Sequence, residues 1–159
     1  MRLTVLSSEV EDSPWYSQGL GFTCTQCGNC CTGPPGFVWI TEAEIIRLAE
    51  HLNLTPQEVV ERYCRKLAGK FSLKESKNSG TGEYDCVFLK EQSTDPRHSR
   101  RICQIYPVRP LQCRTWPFWP SNLKSPQAWA QAGRRCPGMD HGKLHDQQQI
   151  ESIRDRQEG

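Results

Sequence analysis

The cysteines of this chain constrain its fold more than any other feature. A run near the N-terminus supplies four, and four more follow singly: Cys24, Cys27, Cys30, Cys31, Cys86, Cys103, Cys113 and Cys136. Two-residue gaps let successive thiolates turn towards one centre, at roughly 2.3 Å from a zinc ion, and iron–sulfur clusters use similar runs. A metal or cluster site built from these side chains is therefore the first hypothesis, and spacing alone does not choose the metal. Gly28 and Asn29 tolerate a positive φ angle, so we predict that they let backbone amides of this run face sulfur.

The composition favours a domain that burial alone would hold weakly. The 159 residues fit one ordinary domain, and only 36% of them are hydrophobic while 24% are charged. With 11 prolines and 12 glycines, much of the backbone should be irregular and gain from a metal. We predict one small α+β domain with a few short antiparallel strands and two to four helices around the cysteine-rich site.

The N-terminal sequence and the cysteine count argue against a secreted disulfide scaffold. Residues 1–9 lack the apolar core of a secretory signal, and no stretch approaches about 18 apolar residues. The nine cysteines are odd in number, and adjacent Cys30 and Cys31 cannot bridge each other without strain. We therefore expect a cytoplasmic protein with reduced thiols and no membrane partner.

The sequence predicts the starts of two helices. Thr41 with Glu44, and Thr55 with Glu58, are capping boxes, in which each threonine and glutamate side chain satisfies backbone N–H groups of the first turn. Cys64 falls on the apolar stripe of the second predicted helix. We interpret Cys64 as a small buried core residue and leave it out of the metal site.

Aromatic and β-branched bias predicts short strands that carry two of the later cysteines, Cys86 and Cys103. These strands span residues 36–40, 71–75, 84–89 and 102–106. A further short helix is expected over residues 128–134.

The polar segments divide the chain into three predicted parts. Residues 1–21 form a lead-in, residues 22–138 the cysteine-cluster domain, and residues 139–159 a polar C-terminal helix or tail. His141 and His145 have helical spacing near Cys136, and we interpret them as solvated residues outside the site. The basic loop over residues 90–101 is typical of a solvated hairpin tip, so we expect no nucleic-acid partner.

Residues 107–120 are rich in proline and aromatic residues, and they surround Cys113. We predict that this stretch covers the thiolates, because apolar cover excludes water and shifts the potential of a metal centre. An aromatic core is the alternative, and it would arise from the same packing. Arg109 and Arg114 are predicted to support the centre without ligating it, by donating hydrogen bonds to sulfur or offsetting its charge.

An ordered set of motifs runs through most of residues 22–138. Its residues are Phe22, Cys24, Cys27, Gly28, Cys30, Cys31, Ile40, Thr41, Glu44, Ile45, Cys86, Phe88, Leu89, Cys103, Ile105, Tyr106, Arg109, Pro110, Cys113, Arg114 and Phe118. These motifs resemble the YkgJ-type cysteine-cluster family of zinc- or iron-chelating proteins. The resemblance implies metal chelation through Cys24, Cys27, Cys30, Cys31, Cys86, Cys103 and Cys113, while the surroundings of Cys136 match less distinctly.

The division of the thiols and the identity of the metal stay open at this point. Eight cysteines can form two four-sulfur sites, or one site with spare thiols nearby. The run Cys24, Cys27 and Cys30 resembles the first three cysteines of a bacterial ferredoxin run, and Cys136 followed by Pro137 resembles its end. This likeness favours an iron–sulfur cluster over zinc.

Three classes of function follow. The first is a metal-binding protein that chelates iron, as an iron–sulfur cluster, or zinc, and acts in redox chemistry, sensing or metal handling with an unknown protein or redox partner. The second is a structural zinc module that binds a protein. The third is a cluster-dependent group-transfer enzyme, because a similar cysteine-cluster region occurs in the flagellin lysine methylase. Against the third stands the lack of a glycine-rich cofactor loop and of a nucleophile–base pair.

Overall fold

The computed structural model describes residues 13–93 and 100–156. In this part of the chain, helices and short antiparallel strands share one small α+β fold, so the predicted fold class is confirmed. Half of the predicted basic loop, residues 94–99, lies outside the described residues. No helix within the described ranges is long and apolar enough to cross a membrane.

The elements follow one another closely. The helices are α1 (Glu42–Leu52), α2 (Pro56–Tyr63), α3 (Leu111–Thr115), α4 (Pro120–Leu123), α5 (Pro126–Gly133) and α6 (Gln147–Asp155). The strands are β1 (Leu20–Phe22), β2 (Thr32–Gly33), β3 (Trp39–Ile40), β4 (Cys64–Leu67), β5 (Lys70–Leu73), β6 (Glu75–Lys77), β7 (Tyr84–Cys86), β8 (Leu89–Glu91), β9 (Arg101–Cys103) and β10 (Met139–His145). Single 3-10 turns lie at Asn29–Cys31 and Tyr106–Val108.

Both predicted capping boxes are confirmed. Thr41 accepts a hydrogen bond from the backbone N–H of Glu44, whose carboxylate accepts one from the N–H of Thr41. Thr55 and Glu58 repeat this exchange at the start of α2. The helices α3 and α4 were not predicted. Prolines lie at their starts, with Pro110 directly before α3 and Pro120 at the first position of α4, where proline is favoured.

Cys64 is buried as predicted, but it does not lie on a helix. The helix α2 ends at Tyr63, and Cys64 begins β4 by pairing with Leu73 of β5. Strand pairing therefore overrides the helical spacing that the sequence suggested. The side chain still packs in an apolar core, with 5% of its surface exposed.

The strands form four small antiparallel sheets, in the orders β1-β10, β2-β7-β6, β3-β5-β4 and β8-β9. The strand predicted over residues 84–89 is split, because β7 pairs with β2 and β6 whereas β8 pairs with β9. The strand predicted over residues 102–106 likewise ends at Cys103 and gives way to a 3-10 turn that contains Pro107. The first of these predicted strands thus breaks where its partner strand changes, and the second ends where the 3-10 turn begins.

The pairing of β1 with β10 joins the two ends of the described chain. Leu20 lies opposite His145, and the His145 ring nitrogen Nε2 lies 3.1 Å from the carbonyl oxygen of Phe22. His141 and His145 therefore belong to a strand and not to the helix that their spacing suggested. The predicted part boundaries at residues 22 and 138 stay a prediction.

Two apolar clusters form the interior. The first cluster comprises Ile40, Ile45, Leu48, Ala49, Val59, Cys64, Leu73, Phe88 and Ile105. The second cluster comprises Tyr16, Leu20, Phe118, Leu123, Trp129, Met139 and Ile150. The cysteine-rich region touches both, because Leu73 and Ile105 of the first cluster line its walls together with Phe22 and Trp116, which pack against the second.

Candidate metal centre

The eight predicted cysteines line a single cavity of about 250 Å³, which we call the thiol cavity. None of the nine cysteines of the chain is in a disulfide. No carboxylate and no imidazole from the described residues lines this cavity. Its ionisable side chains are thiols, Tyr106 and two arginines, Arg109 and Arg135. This donor set suits soft metals and iron–sulfur clusters and does not suit magnesium or calcium.

The first cysteines lie on a loop whose backbone faces their sulfurs. The N–H of Gln26 lies 3.4 Å from Sγ of Cys24, and the N–H of Asn29 lies 3.5 Å from Sγ of Cys27. The predicted amide-to-sulfur arrangement is thus confirmed. Such hydrogen bonds stabilise negative charge on sulfur.

Positive backbone φ angles shape this loop at two residues. Gly28 has φ of +76°, and a Cβ atom there would lie 2.8 Å from the carbonyl oxygen of Arg101. Glycine is therefore required by both conformation and space. The second such residue is Gln26, with φ of 54°, and not Asn29, which was predicted to share this role but begins the 3-10 turn.

Strand pairing brings Cys86 and Cys103 to this loop. Thr32, directly after the loop, pairs with Asp85 beside Cys86. Cys103 pairs with Leu89, and the N–H of Gln104 donates to the carbonyl of Phe88 at 2.9 Å. Phe88 belongs to the first cluster, so apolar packing fixes the strand ends that carry both sulfurs.

The last two cysteines come from the second half of the chain. Cys113 lies within α3. Cys136 is brought to the cavity by hydrogen bonds on either side of it: Asn29 Nδ2 donates to the carbonyl of Arg135 at 2.9 Å, and the N–H of Thr23 donates to that of Gly138 at 3.2 Å. The cysteine loop is therefore tied directly to the segment that holds Cys136.

Three of the sulfurs form a hydrogen-bonded group. Sγ of Cys30 lies 3.9 Å from Sγ of Cys31, and the Cys31 thiol also hydrogen-bonds Cys103. Sharing this proton lowers the pKa of Cys30 and of Cys103 and raises the pKa of Cys31. The nearby guanidinium of Arg109 lowers the pKa of Cys30 and Cys103 further. Negative sulfur is thus stabilised at the wall of the cavity.

Deeper sulfurs hold their protons more tightly. Burial raises the pKa of Cys86 from its ordinary value to about 11, and burial also raises the pKa of Cys113. In the metal-free protein, both side chains are neutral thiols at neutral pH. A metal that binds them must displace these protons, as metals do at thiolate sites.

The two arginines predicted to support the centre are placed differently. Arg109 lines the cavity, with its guanidinium carbon 3.8 Å from the ring centre of Tyr106 and its Nε donating to the Tyr106 carbonyl at 3.0 Å. Arg114 is not among the lining residues; its Nε donates to the carbonyl of Arg109 at 3.0 Å. Arg114 also lies 3.8 Å from the carboxylate of Glu44.

The aromatic residues of the predicted cover divide between cavity and core. Trp116 and Trp119 line the cavity, together with Tyr106 from the turn just before the predicted stretch. Phe118 is buried in the second cluster, 6.0 Å from the ring of Phe22. Both alternatives weighed for this stretch therefore hold at different residues.

Two side-chain contacts with sulfur were missed by sequence reasoning. Trp116 donates its indole N–H to Sγ of Cys136 at 3.4 Å, and the Tyr106 hydroxyl hydrogen-bonds Cys24. A tryptophan in an apolar stretch predicts burial and gives no sign of its hydrogen-bond partner. The first contact joins residues that are 20 positions apart and the second joins residues that are 82 positions apart, so no local pattern predicts them.

The arrangement of donors gives a test of whether a metal centre fits here. Within residues 13–93 and 100–156, no three cysteine, histidine or carboxylate side chains are spaced to hold a single ion. The chemistry of the lining fits: its candidate ligands are all thiols, with amide, indole and guanidinium donors beside them. The thiols that would hold a metal or cluster are Cys24, Cys27, Cys30, Cys31, Cys86, Cys103, Cys113 and Cys136.

Fold and site together define a small α+β protein built around a sulfur-lined cavity. The comparison with protein families agrees with this class, since residues 23–145 match the model of the CxxCxxCC family, described as "Putative zinc- or iron-chelating domain". The chain belongs to this family. A zinc- or iron-chelating domain is therefore the class of protein that sequence, fold and cavity share.

A curated relative is similar over part of its length. An uncharacterized protein of Methanocaldococcus jannaschii is 32% identical over 103 residues, which cover 65% of this chain. The aligned region covers 48% of the relative, so the chain spans about half the length of that protein. No solved structure matches the chain.

Proposed function

We propose that the chain binds iron in the thiol cavity, as an iron–sulfur cluster, and acts in electron transfer, sensing or metal handling. The observation that carries this proposal is that eight separate cysteines, from both halves of the chain, line one cavity. The volume of about 250 Å³ exceeds what one tightly enclosed ion needs. When bound, an iron–sulfur cluster supplies one-electron redox chemistry.

The side chains around the sulfurs support this role. Backbone N–H groups face Cys24 and Cys27, the Trp116 indole faces Cys136, and Arg109 lies near Cys30 and Cys103. Hydrogen bonds to sulfur and a nearby positive charge both favour negative thiolates and set the potential of a thiolate-held cluster. Apolar walls supplied by Trp116 and Trp119 limit water beside it.

A structural zinc centre is the second candidate. The thiol cavity is lined on one side by Leu73 and Ile105 of the first cluster, and on the other by Phe22 and Trp116, which pack against the second. A metal there would join two apolar clusters that are each small, as structural zinc does in other small domains. This candidate makes protein binding, and not redox chemistry, the purpose of the fold.

The partner and the compartment belong to the same proposal. We expect a protein partner, a redox partner if the centre is an iron–sulfur cluster, and a cytoplasmic setting. Nine unbridged cysteines support a reducing compartment, because thiols at this density would oxidise elsewhere.

Elemental analysis of the untagged protein, purified without oxygen, tests the proposal. Iron with an equal amount of acid-labile sulfide, and broad absorption near roughly 400 nm, is expected for a cluster held by thiolates. Zinc without sulfide or colour would overturn the cluster and support the structural candidate. Protein that binds neither metal would contradict both.

A further inference from the structure

Glu44 is a buried carboxylate whose contacts extend beyond the capping box that the sequence predicts. Its side chain is only 7% exposed. One oxygen, Oε2, accepts hydrogen bonds from the N–H of Thr41 at 2.9 Å and from the Thr41 hydroxyl at 3.1 Å. The other oxygen, Oε1, accepts one from the N–H of Leu111 at 2.7 Å, 67 residues along the chain. Glu44 therefore connects α1 directly to α3.

The helix α3 depends on such an outside partner. It has five residues and follows Pro110, which gives it no side-chain cap. The first N–H groups of any helix lack partners within the helix, and a helix this short is not stable alone. The Glu44 carboxylate satisfies the first of these groups, two residues before Cys113. The position of the Cys113 sulfur thus depends on a contact made at Leu111.

Neighbouring charges and hydrogen bonds make this contact rigid. Arg114 and Arg47 lie 3.8 and 3.9 Å from Oε1 of Glu44 and offset its buried charge. The next residue of α3, Gln112, accepts from the N–H of Trp39 and donates to the carbonyl of Phe37, both at 2.9 Å. The helix that carries Cys113 is therefore held by contacts at both Leu111 and Gln112.

We propose that Glu44 is a positioning residue for the metal centre, which fixes α3 and with it the Cys113 sulfur at the wall of the thiol cavity. The inference rests on the proposed function, because it assigns a purpose to Glu44 at that same site. Its capping role in α1 is a separate matter, and the chain offers a matched control for that role.

The second capping box supplies this control. Glu58 accepts from the N–H and hydroxyl of Thr55 at 2.8 and 3.0 Å, as Glu44 does from Thr41. Glu58 is half-exposed, and it also pairs with Arg62 in the same helix. A glutamine has one amide oxygen, so Glu44→Gln cannot accept at both sites, whereas Glu58→Gln still serves its single threonine. The two variants thus differ in the contact with α3.

Resistance of the bound metal to a chelator is the first test. The metal present in the full chain, purified without oxygen, is challenged with EDTA. We expect Glu44→Gln to lose metal about 10-fold faster than wild type, as is usual when a group that orients a ligand is changed. Glu58→Gln should match wild type. The same loss in both glutamine variants would show that Glu44 only caps α1 and would overturn the proposal.

A second pair of variants removes the contact at its other end. Leu111→Pro removes the N–H that donates a hydrogen bond to Glu44. Leu111 is the first residue of α3, a position at which proline is favoured, and Leu111→Ala keeps the N–H. Metal should leave Leu111→Pro about 10-fold faster than it leaves Leu111→Ala. If Glu44 acts through Cys113, Glu44→Gln should have no further effect in Cys113→Ser. An additive loss would contradict that route.

Thiol labelling separates this inference from the proposed function. In the metal-free chain, iodoacetamide labelling of Cys113 should rise several-fold in Glu44→Gln and stay unchanged in Glu58→Gln, with Cys103 as the internal reference. A wild-type protein that binds no metal would defeat the proposed function while this comparison still reports on Glu44. Equal labelling of Cys113 in all three proteins would overturn the positioning role.

Discussion

Cys64 lies in the apolar first cluster, whereas several sulfurs of the thiol cavity have polar neighbours: amides at Cys24 and Cys27, an indole N–H at Cys136, and Arg109 near Cys30 and Cys103. Burial raises the pKa of Cys64, and the nearby charge of Lys74 offsets this effect only in part. At Cys30 and Cys103, hydrogen bonds and Arg109 outweigh burial and lower the pKa. Hydrogen bonds and charge at the sulfur therefore distinguish Cys30 and Cys103 from the core residue Cys64, which depth alone would not do.

Removing one thiol from each region should give the largest difference in metal content and stability. Cys27→Ser is expected to lose metal and several kcal/mol of stability, because metal binding in small domains contributes about 10–16 kcal/mol to folding. Cys64→Ser should keep its metal and lose about 1–3 kcal/mol, the cost of burying a hydroxyl without a partner. Metal content and thermal unfolding of both variants measure the difference. Equal metal loss would show that Cys64 is a ligand.

The pH dependence of metal affinity should also distinguish the cysteines of the thiol cavity from Cys64. Burial holds the pKa of Cys86 at about 11 and raises the pKa of Cys113, so both thiols are protonated in the metal-free protein between pH 6 and 9. Metal must displace these protons, and each of the two thiols that ligates should contribute about a 10-fold rise in affinity per pH unit. Chelator competition measures this slope.

Two variants act as controls for the slope. Cys86→Ser removes one displaced proton, so the rise in metal affinity per pH unit should be about 10-fold smaller than in wild type. Cys64→Ser should leave the slope unchanged, although burial raises the pKa of Cys64 as well. Affinity that does not vary with pH would mean that neither Cys86 nor Cys113 is a ligand.

Changing Arg109 should have a smaller effect on metal binding, because Arg109 acts on the sulfurs through its charge. Arg109→Met removes the guanidinium that lowers the pKa of Cys30 and Cys103, and we expect metal affinity to fall about 10-fold. A redox-active centre should also become harder to reduce, because a positive charge is lost. Arg114→Met, which alters a guanidinium outside the cavity, should have less effect on the potential. Unchanged potential and metal retention in Arg109→Met would end its proposed role.

Trp116 provides the finest test. Trp116→Phe keeps an aromatic ring but loses the N–H that reaches Cys136 at 3.4 Å, a bond with a net value of about 1 kcal/mol. Metal should leave this variant only a few-fold faster. The matched change Trp119→Phe removes an N–H that donates to the Gln112 carbonyl at 2.9 Å and not to sulfur. If both variants release metal at the wild-type rate, the hydrogen bond to Cys136 does not stabilise the centre.

Local signals predicted the parts of this fold that are locally determined. The capping boxes at Thr41 and Thr55 are confirmed, because their partners lie three residues away. Gly28 has the positive φ expected of it. The burial of Cys64 is confirmed from its apolar neighbours, although its helix assignment was wrong because pairing with Leu73 ends the helix.

Contacts between distant segments could not be predicted in the same way. Glu44 reads as a helix cap, and nothing near it in the sequence indicates that Leu111 donates to its second oxygen. Trp116 reads as an apolar residue, and its bond to Cys136 depends on how α3 and the following turns pack. Spacing indicates which cysteines can act as ligands, while long-range packing decides which groups surround them.

X-ray absorption at the metal edge of the anaerobically purified protein tests the central claim most directly. If the thiol cavity holds the metal, every atom bonded to the metal should be sulfur, at about 2.3 Å for zinc, and an iron–sulfur cluster should show iron neighbours beyond the sulfurs as well. Nitrogen or oxygen neighbours in the majority would contradict the account, because no imidazole or carboxylate of the described residues lines the cavity.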